Sequence, residues 1–286
     1  MKLICLLFIA LNFSLFAQLK RIIITTDEKV SYESEAQTYF DALSISLSTI
    51  QEVRVNTFVK MVKDSLSITS LSDKFDVMYL LANETSESGL KNIVKRSHDA
   101  EIGAANVTFT TWEGFLGDGI GGYINTDYNP STQGVNFTLN DASLGVYNRT
   151  DLVAPGTERV MGNYYSGEHF YFSATGPYSQ IGGLSNSSSE TDFMGLWVFS
   201  KTSAATMNVY LDGTDVGLGE GGATSSLYNA RIILLAARLD NDGGPYEAAP
   251  VQLAFAFCGS SLDATEARKL NNCIEWYMDQ LGTGVQ

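Results

Sequence analysis

The sequence predicts a mainly β chain, an antiparallel β-sandwich preceded by a helical segment and closed by a helix. Three observations lead there. From about residue 104, short runs rich in β-branched and aromatic residues alternate with glycine-bearing turns, and no helical periodicity intervenes. The composition suits strands and tight turns, with 26 Gly, 14 Tyr and 15 Phe but only 5 Pro in 286 residues. Hydrophobic residues make up 44% and charged residues 17%, which supports a large core and excludes a disordered chain.

Taken in chain order, residues 1–17 have the layout of a secretory signal peptide. Lys2 supplies the basic start and Ala17 precedes the cleavage point. The apolar run from Leu3 to Phe16 is shorter than the roughly 20 residues that a membrane span needs. A secreted or cell-surface protein is therefore expected, with no stable membrane span after cleavage. A buried first strand or an uncleaved anchor is the competing reading. Residues 18–74 read as an N-terminal strand and helical segment packing on the sandwich, with two helices in 33–66. Ser34 with Gln37, and Ser48 with Gln51, each resemble a capping box, in which a hydroxyl caps the helix and an amide reaches back. Ala36, Tyr39, Phe40 and Leu43 recur at helical spacing in the first helix. Val55, Phe58, Val59, Val62 and Leu66 do so in the second, where Lys60 and Lys63 are expected to face water.

Residues 75–286 read as the sandwich proper. Phe75 to Leu81 is the first buried strand, and 106–112, 143–150, 168–174, 194–202, 207–213, 228–238 and 251–257 are further strands. Asp212-Gly213 is a hairpin signal, Gly182-Gly183 marks another turn, and Leu184 to Glu190 reads as a polar loop. The closing helix begins at Asp263, with Glu266 three residues on. Its apolar stripe is Ala267, Leu270, Ile274, Tyr277 and Leu281, and Gly282 stands where the chain leaves the helix.

The net charge of −14 repels nucleic acid and acidic membrane surfaces, so neither is an expected partner. After leader removal only Cys258 and Cys273 remain, too few to staple the fold. They are either one bridge closing a short loop or two buried thiols.

Four runs carry a family resemblance: GDGIGGYINTDYNPST (117–132), SLGVYNRT (143–150), RIILLAARLDNDG (231–243) and VQLAFAFCGSSLDATEARKLNNCIEWYMDQLG (251–282). Together they resemble the concanavalin A-like lectin/glucanase, laminin G-like jelly-roll superfamily. More narrowly, the chain looks like a version found in bacteriophage tail or virion proteins and in bacterial exported proteins. That version begins with a helical piece similar to VRVNTFVKMVKDS (53–65), followed by a strand like FDVMYLLAN (75–83). The resemblance spans about residues 35–283. It implies a jelly-roll sandwich but leaves function open, because the superfamily includes lectins, glycan hydrolases and plain adhesive or structural modules.

The chemistry is weighed on that frame. Glucanases of this superfamily carry a Glu-x-Asp-x-x-Glu strand. The nearest run here is Glu190-Thr191-Asp192, with Gly195 in place of the second glutamate, and no catalytic residue is nominated. The two histidines, His98 and His169, lack metal-ligand spacing. Gly117 to Gly122 matches GxGxxG by letter, but a strand-like segment follows it, so it reads as a turn. Asp240 and Asp242, with Asn241 between them, supply the oxygens a Ca²⁺ site would use; the same run is also ordinary turn chemistry. Sugar binding needs aromatic faces beside hydrogen-bonding side chains. The candidates are Tyr128, Asn129, Tyr164, Tyr165, Tyr178 and Tyr246. The leading expectation is a non-catalytic exported module for carbohydrate binding or adhesion, with a glycan or cell-surface polysaccharide as partner. The alternatives are a structural virion or tail-associated protein with protein partners in a larger assembly, and a glycan hydrolase.

Overall fold

The computed structural model describes residues 31–104, 106–153, 155–163, 167–238 and 244–285. The proposed leader, residues 1–17, lies outside them. Helix α1 (Ser34–Phe40) forms on the expected stripe but stops before Leu43, helix α2 (Thr49–Leu66) follows its stripe in full, and a short helix α3 spans Ser86–Leu90. Ser48 caps α2 by accepting from the Gln51 backbone N–H. The first cap differs from expectation. Glu33 holds the cap position, Ser34 is already helical, and Gln37 donates to Asp41 instead of reaching back. Lys63 does not face water, because it pairs with Glu33 and Glu35 at 2.8 and 3.1 Å.

Strands are numbered β1–β18 along the chain. One antiparallel sheet contains β13 (Thr214–Asp215), β12 (Met207–Leu211), β11 (Gly195–Lys201), β6 (Ala142–Asn148), β18 (Gln252–Gly259), β4 (Gly114–Leu116) and β3 (Thr108–Thr110) in that order. β1 (Phe75–Tyr79) also pairs with β18. The second sheet runs β14 (Gly221–Gly222), β10 (Leu184–Ser187), β9 (Tyr178–Ile181), β8 (His169–Ser173), β7 (Thr157–Gly162), β15 (Ile233–Leu234), β5 (Ile124–Asn125), β2 (Glu101–Ile102). A two-stranded ribbon joins β16 (Ala237–Arg238) to β17 (Pro245–Tyr246). The sheets face each other across one core. Leu144, Val146, Trp197, Phe199 and Val209 enter it from the first sheet, and Met161, Phe170, Phe172, Ile181 and Leu234 from the second. Each such large apolar side chain, fully enclosed, contributes roughly 1.5–3 kcal/mol of transfer free energy.

The first sheet is backed by helices, which fixes the layering. Helix α5 (Ala264–Leu281) starts at Asp263, whose carboxylate accepts from the Thr265 and Glu266 N–H groups while Glu266 reaches back; it ends at Gly282 with φ +73°. The Phe58 ring of α2 meets Phe255 of β18 and Tyr277 of α5 at 6.0 and 5.6 Å. Tyr277 donates to the Ala82 carbonyl and accepts from Gln51, tying α5 and α2 to the chain beyond β1. The helix-backed sheet thus has both faces covered, whereas the second, outer sheet has one face in the core.

Turn chemistry sets the outer sheet's register. Gly182 and Gly183, at φ +53° and +86°, form the tight hairpin joining β9 to β10. Leu184–Ser187 is therefore a strand, although its serine-rich sequence reads as a loop. In 228–238 the expected long strand is broken into β15 and β16 at Leu235, which has φ +68°. Cys258 lies in the core and Cys273 on α5; both are free and buried, and Cys273 Sγ is 3.5 Å from the Ser65 hydroxyl.

A buried carboxylate organises the loop after β5. Asp76 is 1% exposed and accepts from Tyr128 Oη (2.7 Å), from the backbone N–H groups of Val135, Asn136 and Phe137, and from Asn136 Nδ2. Asp76→Ala leaves those donors enclosed without an acceptor. It is expected to cost about 3 kcal/mol or more, read as a lower urea midpoint at unchanged slope.

Glu275 on α5 makes stability pH-dependent. Burial pushes its carboxyl up to about 7, against the Tyr147 hydroxyl and with the Asp212 and Asp279 charges adding to the rise. The folded chain therefore keeps a proton that the unfolded chain releases near 4.5. The stabilisation is complete below about pH 4.5 and is lost as pH rises through about 7. Urea midpoints at pH 5 and pH 8 should differ less in Glu275→Gln than in the parent.

Candidate ligand-binding face

Strand alternation builds the site. In β8 Phe170 and Phe172 point into the core, so His169 and Tyr171 stand on the outer face of the outer sheet. Register carries that face across the sheet. One row reads Glu101, Asn125, Ile233, Gly162, His169, Gln180, Ser185. The next reads Arg159, Tyr171, Tyr178, Ser187. Three near-parallel rings result. Tyr171 and Tyr178 lie 5.0 Å apart at 26°, and His169 lies 5.7 and 5.8 Å from them at 12° and 25°. His169 is buried at the base of this ledge, while both tyrosines are half-buried.

Arg159 borders the ledge. Its guanidinium sits 5.1 Å from the Tyr171 ring centre and 5.8 Å from that of Tyr246. Nε donates to Glu247 Oε2 at 2.9 Å, and the Arg159 backbone N–H donates to the Glu247 carbonyl at 2.7 Å. Glu247 adopts φ +47°, a left-handed conformation that is strained for a non-glycine residue and is held here from both its backbone and its carboxylate. Arg159 Nη1 is enclosed and has no hydrogen-bond partner among the described residues. The neighbouring Tyr171 hydroxyl is pushed up by burial and by Tyr178, with Arg159 opposing. Further along the face, buried Arg238 donates to Asn125, which donates to Glu101.

Behind the ledge lies Glu168, fully enclosed. Burial pushes its carboxyl up, opposed by donors from Asn163 Nδ2 (2.6 Å) and the Tyr228 and Gly182 N–H groups. It holds the chain around β8 together. Buried Lys201 donates to the Ile181 carbonyl, and burial pushes its ammonium down while Glu168 acts the other way.

Of the residues nominated from sequence, Tyr178 belongs to the ledge and Tyr246 reaches it through Arg159. Tyr128 does not. Its ring is fully buried and its hydroxyl donates to Asp76, so it is a packing residue with no face to offer a ligand. Asn129 caps the short helix α4 (Pro130–Gln133) and donates to Asn229. Tyr164, Tyr165, Asp240 and Asp242 lie outside the described residues. Among the described residues no group of three or more His, Cys, Asp or Glu is placed to hold a metal ion.

His169, Tyr171, Arg159 and Glu247 were not nominated. The alternation in His-Phe-Tyr-Phe carries a signal for the first two, whereas Arg159 and Glu247 are 88 residues apart and carry none.

The other motifs resolve as local structure. In Gly117 to Gly122 the Asp118 carboxylate accepts from the N–H groups of Ile120, Gly121 and Gly122 at 2.8–3.0 Å, which holds its carboxyl well below the usual range. The cradle that a phosphate would need is filled by the chain's own side chain, and β5 follows it, not a helix. Glu190 and Asp192 lie in the loop between β10 and β11, not on a strand. His98 Nδ1 meets the Asp127 carbonyl at 2.8 Å, and its ring packs edge-on against Tyr128.

No family profile and no curated protein matches the chain. Solved structures do. A mutant Trypanosoma rangeli sialidase displaying trans-sialidase activity superposes with a TM-score of 0.52 at 14% identity, covering 82% of this chain and 40% of the sialidase. The binding domain of Paraclostridial Mosquitocidal Protein 1 gives 0.50 at 9% identity, covering 72% of this chain and 53% of that domain. At these identities the likeness is one of fold, and the chain spans less than half of the sialidase.

Tyr128→Phe separates packing from binding. Losing the bond to Asp76 should cost about 1–2 kcal/mol in urea unfolding, while any ligand affinity measured by calorimetry should stay within twofold of the parent.

Proposed function

We propose that the chain is a non-catalytic, exported surface module of the concanavalin A-like jelly-roll kind that binds carbohydrate on the outer face of its outer sheet. The observation that carries this reading is the ledge of Tyr171, Tyr178 and His169 beside the Arg159–Glu247 pair. Pyranose rings present C–H faces that pack on aromatic surfaces, and their hydroxyls take hydrogen bonds from a few fixed polar groups. Both features meet here on the sheet face that neither the core nor the long helices occupy. The carboxylates nearest to it serve other ends, since Glu247 is paired with Arg159 and Glu168 is enclosed. The reading therefore assigns no bond-breaking step and needs no cofactor. Export rests on the leader-like residues 1–17. No described helix is long and apolar enough to cross a membrane. The sialidase and the toxin-binding domain supply company for the fold only.

A glycan array probed with residues 18–286, followed by calorimetry on the best ligand, tests the reading. Tyr171→Ala and Tyr178→Ala should each weaken binding about tenfold, equivalent to about 1.4 kcal/mol, with unchanged far-UV circular dichroism. Absence of binding at millimolar sugar, or parental affinity in both variants, would remove the proposal.

A further inference from the structure

Resting on the carbohydrate reading above, we infer that the ledge selects neutral sugars over acidic ones, with Arg159 and Glu247 acting as a donor–acceptor couple for sugar hydroxyls. Three observations carry this. Arg159 is 7% exposed, yet among the described residues its Nη1 has no hydrogen-bond partner. Buried donors are nearly always satisfied, so an unfilled N–H beside two tyrosine rings is a place where a bound ligand can supply the acceptor. That acceptor need not be anionic, because the Arg159 charge is already neutralised by Glu247 at 2.9 Å. The chain carries a net −14, so an incoming carboxylate enters a repulsive field.

Glu247 complements the donor. Its side chain keeps 29% of its surface exposed, so a carboxylate oxygen is available to a hydroxyl proton while Oε2 stays on Arg159. The left-handed backbone at Glu247, φ +47°, fixes this carboxylate beside the guanidinium. A sugar bearing neighbouring hydroxyls can accept from Arg159 with one and donate to Glu247 with the other while its C–H face packs on the tyrosines. Nη1 is closed off from solvent, so engagement requires a shift of the overlying side chains. Tyr246, whose ring lies 5.8 Å from the guanidinium on the two-stranded ribbon, is the nearest of these on the ribbon side.

The test compares probes of the two charge classes on one protein. Cellohexaose, laminarihexaose, maltohexaose and a β-galacto-oligosaccharide are the neutral set; 3′-sialyllactose and trigalacturonic acid are the acidic set. Residues 18–286 should bind at least one neutral probe at least tenfold more tightly than either acidic probe. Arg159→Lys keeps the charge but loses the planar fork, and should weaken the neutral probe at least tenfold. Glu247→Gln leaves the Arg159 charge uncompensated and should narrow the gap by strengthening an acidic probe severalfold. Thermal melts confirm that each variant is folded; if Arg159→Lys unfolds, Glu247→Gln and the parent's own selectivity still decide. Tighter binding of an acidic probe by the parent, or a neutral-sugar affinity indifferent to Arg159→Lys, overturns the inference while leaving a carbohydrate site in place. Binding of no probe, together with a blank glycan array, removes the carbohydrate reading itself.

Discussion

The pleat of β8 puts Phe170 and Phe172 on one face of the outer sheet and His169 and Tyr171 on the other, and most of the molecule's organisation follows from that division. The two phenylalanines join Trp197, Phe199 and Phe193 in an aromatic core between the sheets. A shift of one residue in register would exchange the faces and put polar rings into that core. The turn at Gly176 (φ +110°) between β8 and β9 and the bulge between Arg159 and Met161 accompany the alignment that brings Arg159, Tyr171 and Tyr178 into one row. The layers then follow. The helix-backed sheet spends its second face on α2 and α5, and the outer sheet keeps its second face for the ledge.

Polar groups inside this sandwich act as hydrogen-bonding hubs. Asp76 gathers backbone and tyrosine donors around one loop, and Glu168 does the same behind β8. A buried carboxylate tolerates burial only when donors surround it. Arg159 differs from both. It is buried on the face side, ion-paired through Nε, stacked between tyrosines, and left with Nη1 unpartnered among the described residues. Under-satisfied groups beside aromatic rings and a strained residue concentrate where a protein meets something else.

Much of the scaffold was legible in one dimension. The apolar stripes of α2 and α5, the Ser48 and Asp263 caps, the Gly282 end and the Asp212-Gly213 hairpin all express local rules, and the structure follows them. The failures share a cause. Leu184–Ser187 looks like a loop by composition but is a strand because a two-glycine turn folds it onto β9. Ser34 has the residue type of a cap but lies one position too late. Lys63 has the spacing of a solvated lysine but meets Glu33 and Glu35 from outside its own helix.

The sequence by itself determined the mainly β class of the fold and the position of the helices at its two ends. Spacing along the chain encodes those directly, because helix and strand periods are local. Only the tertiary structure decided which tyrosines face outward. Tyr128 and Tyr178 both sit beside turn-rich segments, yet Asp76, 52 residues earlier, draws Tyr128 inward, while strand pairing sets Tyr178 beside Tyr171. Arg159 and Glu247 meet across 88 residues through a backbone bridge and an ion pair. Contacts at such separation depend on how the sheets stack, and no local periodicity carries that information.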